Sequence, residues 1–170
     1  MANLNRPFGL RFHSMLTGDA ANVSIRRYRI NHDQEAHGVF IGDPVAIIQA
    51  GSGGPADQNL NQISGARYVE RAAGTEGAPQ LGVVVGFAYD PTNLNSNYFP
   101  ANATADRDVF VCDDPNALFE IQSDITGITA AQANMNCVMT MTVGSTVTGI
   151  SQVVASGPVT ASATMPLKIM

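Results

Sequence analysis

Apolar residues along this chain occur in short runs, and segments rich in glycine, proline and asparagine separate one run from the next. Many runs are β-branched, and some alternate apolar with polar positions, as strands with one buried face do. The predicted strands cover residues 25–30, 81–89, 108–112, 118–122, 137–143, 145–150, 153–154 and 164–170. Residues 129–134, with Thr129 as the cap, form a short helix candidate. We therefore expect a mainly β fold, a barrel or a sandwich with long loops.

Glycine and proline predict the local geometry of several segments. Residues 38–48 hold two apolar runs around the turn signal Asp43-Pro44. Residues 81–89 form the clearest strand, and their continuous apolar run predicts burial on both faces. Gly82 and Gly86 within this strand predict bulges or close backbone approaches. The chain also predicts a loop at 51–55, a weakly patterned polar segment at 56–70, a long exposed loop at 90–105 and a turn at 113–116.

The chain divides into an N-terminal arm and a single domain. Residues 1–12 contain Pro7 and Gly9 around the apolar Phe8 and Leu10, a composition that predicts an extended arm. Residues 13–170 are long enough for one β-rich domain with a sizeable core. We expect Pro7, Phe8 and Leu10 to contact a partner, so that deleting residues 1–12 weakens binding and leaves a folded core.

Residues 125–167 contain no charged side chain, and Lys168 ends this charge-free stretch. The segment is rich in Thr, Ser, Asn, Gln and Gly, and it never reaches the roughly 18 consecutive apolar residues typical of a membrane span. Soluble proteins spread charge over their exposed surface. Such a stretch is therefore expected to lie largely against this chain's own core, a sister subunit or a larger assembly. The pattern favours a building component over a free enzyme.

Charge and cysteine content narrow the classes of partner. Charged residues make up 14% of the chain and the net charge is −5, which gives no general attraction for nucleic acid or anionic membranes. Cys112 and Cys137 form neither a disulfide framework nor a complete zinc site, so we expect two buried free thiols. The first residues have no secretory pattern, which predicts synthesis in a cytoplasm and retention there unless the protein is packaged.

Two sets of residues carry possible chemistry. Four aspartates lie close together in the sequence: Asp106, Asp108, Asp113 and Asp114. They loosely match a calcium-binding loop but lack its glycine and its distal glutamate. The three histidines are His13, His32 and His37. Their spacing fits no zinc motif, and the chain has neither a nucleophile elbow nor a phosphate loop. We expect no enzymatic activity, no cofactor and no metal; an enzyme would require these aspartates or histidines to converge.

Three arginines, Arg26, Arg27 and Arg29, share the predicted strand 25–30. Because side chains alternate along a strand, Arg27 and Arg29 should face one side and Arg26 the other. The planar guanidinium suits carboxylates, and the net charge is negative. We therefore favour docking on an acidic patch of a protein partner over phosphate binding, with a solvated strand face as the alternative.

Several phrases of the chain resemble small virion proteins of tailed bacteriophages. They are residues 1–11 (MANLNRPFGLR), 26–30 (RRYRI), 39–45 (VFIGDPV), 81–87 (LGVVVGF), 109–115 (VFVCDDP) and 118–122 (LFEIQ). Proteins of this family are head decoration, or cement, proteins encoded near the major capsid protein. The resemblance implies a structural virion protein that binds the outer surface of the phage head, contacts the major capsid protein and forms a homo-oligomer, a trimer or a dimer. It also implies location in the virion after synthesis in the host cytoplasm.

Two other functions agree with a β-rich chain of this composition. One is a head-tail connector, and the other is a sugar-binding adhesin that uses the loop at 90–105. The adhesin interpretation predicts exposed aromatic side chains near this loop, for which Tyr89, Tyr98 and Phe99 are the candidates.

Overall fold

The computed structural model describes residues 6–17, 23–32, 37–48, 67–91, 93–125 and 128–170. The chain is mainly β, as predicted, and forms a single domain. Its strands are β1 (Arg11–Met15), β2 (Ile25–Ile30), β3 (Pro44–Ile47), β4 (Tyr68–Arg71), β5 (Gly82–Phe87), β6 (Arg107–Cys112), β7 (Ala117–Glu120), β8 (Asn136–Thr140), β9 (Val154–Thr160) and β10 (Leu167–Lys168). A short 3-10 helix at Ala130–Gln132 follows Thr129, its predicted cap.

Five strands close into a small barrel in the order β2-β4-β3-β5-β6. All neighbours are antiparallel except β2 and β4, and β6 pairs with β2 to close the barrel. Valine and isoleucine make up most of the interior, as expected of a small barrel that is filled by its own side chains, and two aromatic rings complete it. The interior cluster consists of Tyr28, Ile30, Val39, Val45, Val69, Val84, Phe99, Val109 and Val111.

A second apolar cluster lies outside the barrel and joins it to the rest of the chain. Leu10, Val83, Met139 and Val153 form this cluster, with Phe119 packed against it. The sheets β1-β7 and β10-β8-β9 both contribute to it, through Phe119 of β7 and Met139 of β8. All described strand residues of the charge-free stretch lie in the sheet β10-β8-β9. Val83 belongs to this outer cluster while its neighbour Val84 faces the barrel interior. Strand β5 is therefore buried on both faces in this part, as predicted.

Both glycines of β5 have the predicted backbone roles. At Gly82 a Cβ atom would overlap the carbonyl oxygen of Cys112 on β6, so only glycine permits this approach of the two strands. At Gly86 the register between β5 and β6 shifts, which is the irregularity of a bulge.

Some predicted elements differ from the observed ones. Residues 145–150 form a turn rather than a strand, and Ile150 makes only an isolated bridge with Ile41. Strand β4 was not predicted, because three of its four residues lie within the segment 56–70, whose sequence is polar and only weakly patterned. The loop at 90–105 is not wholly exposed, since Phe99 pairs with Val39 and lies in the barrel core. The predictions for residues 51–55 and for most of 56–70 lie outside the described residues.

The N-terminal segment is part of the fold from Leu10 onward. Leu10 is buried in the outer cluster, and its N–H donates to the carbonyl oxygen of Gly42 at 2.9 Å. The predicted boundary after residue 12 falls within β1, whose pairing with β7 places Phe12 opposite Phe119. Leu10 is therefore corrected from a partner contact to a core residue. Deleting residues 1–12 would remove this side chain and two of the five residues of β1, so that deletion does not test the arm alone.

Candidate interaction surfaces

The three arginines of β2 and the aspartates of β6 pair with each other. Arg29 lies opposite Asp108 in the β2–β6 register, with 3.4 Å between Nε and Oδ1. Arg27 reaches the same carboxylate, with 3.7 Å between Nη1 and Oδ2. Arg26 faces the other way, as predicted, and its Nη1 lies 3.2 Å from Oδ2 of Asp113. Among the described residues, Asp108 is therefore shared by Arg27 and Arg29, while Asp113 pairs with Arg26 on the other side of the strand.

Asp113 is the buried partner of this group. Its side chain is only 4% exposed, and Oδ2 accepts a hydrogen bond of 2.6 Å from the hydroxyl of Tyr28. Burial and the hydrogen bond to Asp113 raise the pKa of Tyr28, so the phenol remains a neutral donor. Asp114 shapes the predicted turn instead, accepting from the N–H of Asn116 at 2.9 Å. The aspartates that looked like a metal cluster in sequence are therefore divided between ion pairs and a turn.

Apolar side chains accompany the arginines on the outer surface of β2 and β6. Ile25 is 53% exposed, Phe110 is partly exposed, and Phe110 is the register partner of Arg27. The side chain of Arg27 stays 65% exposed despite its ion pair. We call the set Ile25, Arg27, Arg29, Asp108 and Phe110 the β2–β6 face. It combines exposed arginine with aromatic and aliphatic side chains, and arginine and aromatic residues are enriched in protein interfaces.

The three N-terminal residues predicted to contact a partner differ in exposure: Pro7 and Phe8 are partly accessible, whereas Leu10 is buried. Phe8 and Pro7 are half-buried, and the guanidinium of Arg11 lies 5.1 Å from the centre of the Phe8 ring. Gly9 has a positive φ of 68° and passes close to the side chain of Ser151, where a Cβ would come within 2.5 Å. Pro7 and Phe8 thus remain accessible in part while Gly9 and Leu10 are fixed on the domain.

A buried ion pair holds the charge-free stretch onto the barrel. Asp43 is fully buried, and its Oδ2 lies 3.1 Å from Nε of Arg71 on β4. The carboxylate also accepts from the hydroxyl of Ser151 at 2.6 Å and from the N–H of Phe40 at 2.9 Å, and Arg71 donates to the carbonyl oxygen of Thr142. Burial raises the pKa of Asp43, and the neighbouring Arg71, Ser151 and Phe40 groups oppose that rise. The contact fastens Thr142 and Ser151 of the stretch to two barrel strands.

Two loops without charged residues meet at one end of the molecule. The side-chain amide of Asn97 donates to the carbonyl oxygen of Thr148 at 2.8 Å, and Gly149 packs directly against Asn97. The Tyr98 ring stacks on Phe40, with 5.1 Å between ring centres. Residues 93–98 and 143–150 are uncharged throughout, and we call this surface the neutral end. Its exposed apolar side chains are Leu94, Val143, Val147 and Ile150.

The charge-free stretch therefore has two environments. Cys137, Met139, Val153 and Ala155 are buried in the protein's own core. Val147 is 91% exposed, and the other apolar residues of the neutral end are exposed in large part. The protein's own fold accounts for only part of the missing charge.

Two of the three histidines contact a carboxylate. Nδ1 of His32 lies 2.8 Å from Oδ1 of Asp106, whose other oxygen accepts from the hydroxyl of Tyr68 at 3.0 Å. Burial by itself would raise the pKa of Asp106, but the hydrogen bonds from His32 and Tyr68 outweigh it and hold that pKa below its usual value. His13 contacts Glu120 at 2.9 Å, and His37 is exposed. Across the described ranges, no group of three or more His, Cys, Asp or Glu residues is arranged to hold a metal ion.

The two cysteines are buried free thiols, as predicted, and burial raises the pKa of both Cys112 and Cys137.

The aromatic residues near the loop at 90–105 fit a sugar site less well than predicted. Tyr89 is 73% exposed, but Phe99 is buried and Tyr98 packs against Phe40. The expectation of three exposed rings is therefore corrected to one.

Sequence reasoning missed the pairing of arginines with aspartates and the neutral end. The first had a signal, since 25–30 and 108–112 are strands with opposite charges. The second depends on two loops about 50 residues apart in sequence, which no local pattern connects.

No protein-family model matches the chain, and comparisons with curated proteins and with solved structures found no similar protein. Within the part of the chain that the structure describes, no helical segment has the length and hydropathy needed to cross a membrane.

Proposed function

We propose that this protein is a structural component of a tailed-phage virion that binds the outer surface of the head and stabilises the shell. The β2–β6 face is the surface that we propose binds the head, and its composition is the main support for the proposal. On it, Ile25, Arg27 and Phe110 stay exposed on a rigid barrel wall. The resemblance to phage decoration proteins includes the arginine phrase 26–30 that forms this wall.

The partner of this face is an acidic and partly apolar surface of the major capsid protein. The ion pairs with Asp108 hold Arg27 and Arg29 close to the positions needed for docking, which lowers the side-chain entropy lost on binding. Because Arg27 shares Asp108 with Arg29 and its side chain stays 65% exposed, Arg27 can also bind a carboxylate of the partner. Exposed Ile25 and Phe110 supply the apolar area that surface ion pairs alone do not supply.

A cement function requires cohesion rather than chemistry. A shell under pressure from packed DNA is reinforced when a bound protein buries surface on neighbouring subunits. Many weak copies on a repeating lattice gain strength through multivalency. The protein needs no cofactor in this role, and its negative net charge agrees with a position outside the DNA.

Co-sedimentation with shells that lack the protein tests the proposal. We expect wild type to pellet in a fixed ratio to capsid subunits, and Arg27→Glu to pellet at least about tenfold less well, since it reverses a charge in the contact. Lys168→Glu makes the same charge change on exposed β10, away from this face, and should pellet like wild type. Equal pelleting of both variants would move the contact elsewhere. No pelleting of folded wild type would reject the decoration function.

The N-terminal segment has a separate test that leaves the core intact. Phe8 is half-buried and stacks with Arg11, whereas Leu10 belongs to the core. We expect Phe8→Ala to weaken shell binding and to leave the melting temperature nearly unchanged. Full binding by this variant would remove Phe8 from the contact.

One observation favours the adhesin alternative: the Tyr89 ring is 73% exposed beside the loop at 90–105. Exposed aromatic rings stack on the apolar faces of sugars. A glycan array with wild type and Tyr89→Ala distinguishes the two functions. Tyr89-dependent binding to a sugar, from a protein that does not bind shells, would support the adhesin. A head-tail connector would instead appear in the virion only at the portal vertex.

A further inference from the structure

We propose that the neutral end is a self-association surface, and that its occupant is the neutral end of a second copy of this chain. The surface is built from residues 93–98 and 143–150, which lie about 50 residues apart in sequence and carry no charge. This inference concerns a different surface from the β2–β6 face and does not depend on the proposed function.

The shape of the neutral end is fixed before any partner arrives. The N–H of Gly149 donates to the carbonyl oxygen of Ser145 at 2.7 Å, and the N–H of Ser145 donates to that of Ile150 at 2.9 Å, so the turn that carries Val147 is closed on both sides. The N–H of Ile41 fixes Gly149 to the barrel at 3.0 Å. A side chain as exposed as Val147 on a rigid turn loses little entropy on docking.

The second loop is fixed in the same way. The guanidinium of Arg107 lies beneath it and donates to the carbonyl oxygens of Ser96 at 2.8 Å and Tyr98 at 2.9 Å. Asp90 accepts from the N–H of Asn93 at the start of the loop. Both charged residues therefore bind the base of the loop, while Leu94 at its tip points to solvent. The result is a preorganised apolar surface with charge only at its margin.

The absence of charge selects the second copy as occupant. Each copy carries a net charge of −5, so a contact between two copies is least unfavourable where the surface adds no close pairs of like charge. In a symmetric contact a residue near the axis meets itself or its close neighbours. Carboxylates and guanidinium groups cannot bond to their own kind, but hydroxyl and amide groups are both donors and acceptors. The exposed polar groups of the neutral end, such as Thr146, Thr148 and Asn97, are of this self-complementary type.

A partner protein with a charged surface is less well matched to the neutral end than a second copy is. A charged patch on such a partner would lose its hydration against Leu94 and Val147 without gaining an ion pair, which is unfavourable. The arginine-containing β2–β6 face is better suited to that partner. The molecule thus offers a charged surface for another protein and an uncharged one for itself.

Sedimentation velocity over a wide concentration range tests the inference on the full chain without shells. We expect wild type to form an oligomer and Val147→Asp to raise its dissociation constant by about tenfold or more, since an unpaired carboxylate would be buried in the contact. Val147 makes little contact with its own chain, so the variant should fold normally, which circular dichroism checks. Leu94→Asp is a second variant on the other loop with the same expected effect.

Ile25→Asp is the matched control, because it makes the same kind of change at an exposed aliphatic residue on the β2–β6 face. It should leave the oligomer intact and reduce shell binding. A wild type that is monomeric at every concentration overturns the inference. So does an oligomer that neither Val147→Asp nor Leu94→Asp weakens, or one that Ile25→Asp weakens equally. Since sedimentation is measured without shells, failure here leaves the decoration proposal to its own test.

Discussion

Asp43 is the residue on which the attachment of the charge-free stretch to the barrel depends. It is fully buried against Arg71 and accepts hydrogen bonds from Ser151 and Phe40. Removing one partner of a buried ion pair leaves the other charge without compensation. The sequence marks Asp43 only as a turn residue before Pro44, because its ion-pair partner Arg71 and its hydrogen-bond donor Ser151 lie 28 and 108 positions away.

We expect Asp43→Ala to lower the free energy of unfolding by about 3–5 kcal/mol, the usual cost of a buried charge left unpaired. Urea denaturation followed by circular dichroism measures it. Glu120→Ala, which removes an exposed ion pair with Arg11, is the control and should leave the unfolding midpoint nearly unchanged. An equally small effect at Asp43 would show that this carboxylate does not hold the stretch in place.

The lowered pKa of Asp106 leads us to expect that the protein loses stability at acidic pH. Its pKa in the folded protein is lowered by His32 and Tyr68 relative to the ordinary value of 3.8. A carboxyl with a lowered folded pKa stabilises the fold above its unfolded pKa, and this stabilisation is lost as the pH falls through the folded pKa. We expect the unfolding free energy to fall as the pH is lowered below about 4 and Asp106→Asn to reduce that slope. The same slope in both proteins would assign the acid sensitivity to other carboxyls.

At the scale of the elements, strand β5 shows what the sequence predicts well. Its continuous apolar run predicts burial on both faces, and Val83 and Val84 indeed lie in different clusters. Local turn chemistry at 113–116 likewise predicts the end of β6 and, to within one residue, the start of β7. Residues 145–150 show the opposite case. Their apolar residues suggest a strand, but the hydrogen bond from the N–H of Gly149 to the carbonyl oxygen of Ser145 closes a turn. Tertiary contacts with Ile41 and Asn97 decide this segment, and no local pattern contains them.

The close approach of β5 and β6 gives a prediction for a single methyl group. Gly82→Ala should lower stability by about 1–3 kcal/mol, because its Cβ overlaps the backbone of Cys112. Gly86→Ala in the same strand is the control, since its Cβ would meet only the Phe110 ring at 3.9 Å, an ordinary contact. Thermal unfolding of both variants measures the difference. Equal melting temperatures would contradict the account of β5.

At the scale of the whole molecule, two surfaces differ in charge: the β2–β6 face contains arginines, and the neutral end has no charged residue. The β2–β6 face exposes Ile25, Arg27 and Phe110, which we propose meet an acidic partner, and the neutral end exposes Leu94 and Val147, which we propose meet a second copy. The arginines could be selected from sequence because three of them share one strand. The neutral end could not, since it exists only where two distant loops meet.

Cryo-electron microscopy of shells incubated with the purified protein tests the decoration proposal in a single measurement. We expect density at fixed positions on the outer surface, with the β2–β6 face toward the capsid protein and neutral ends meeting between copies around a symmetry axis. Bare shells after incubation with folded protein would contradict the decoration function. Bound protein with its β2–β6 face turned to solvent would contradict the assignment of the docking surface.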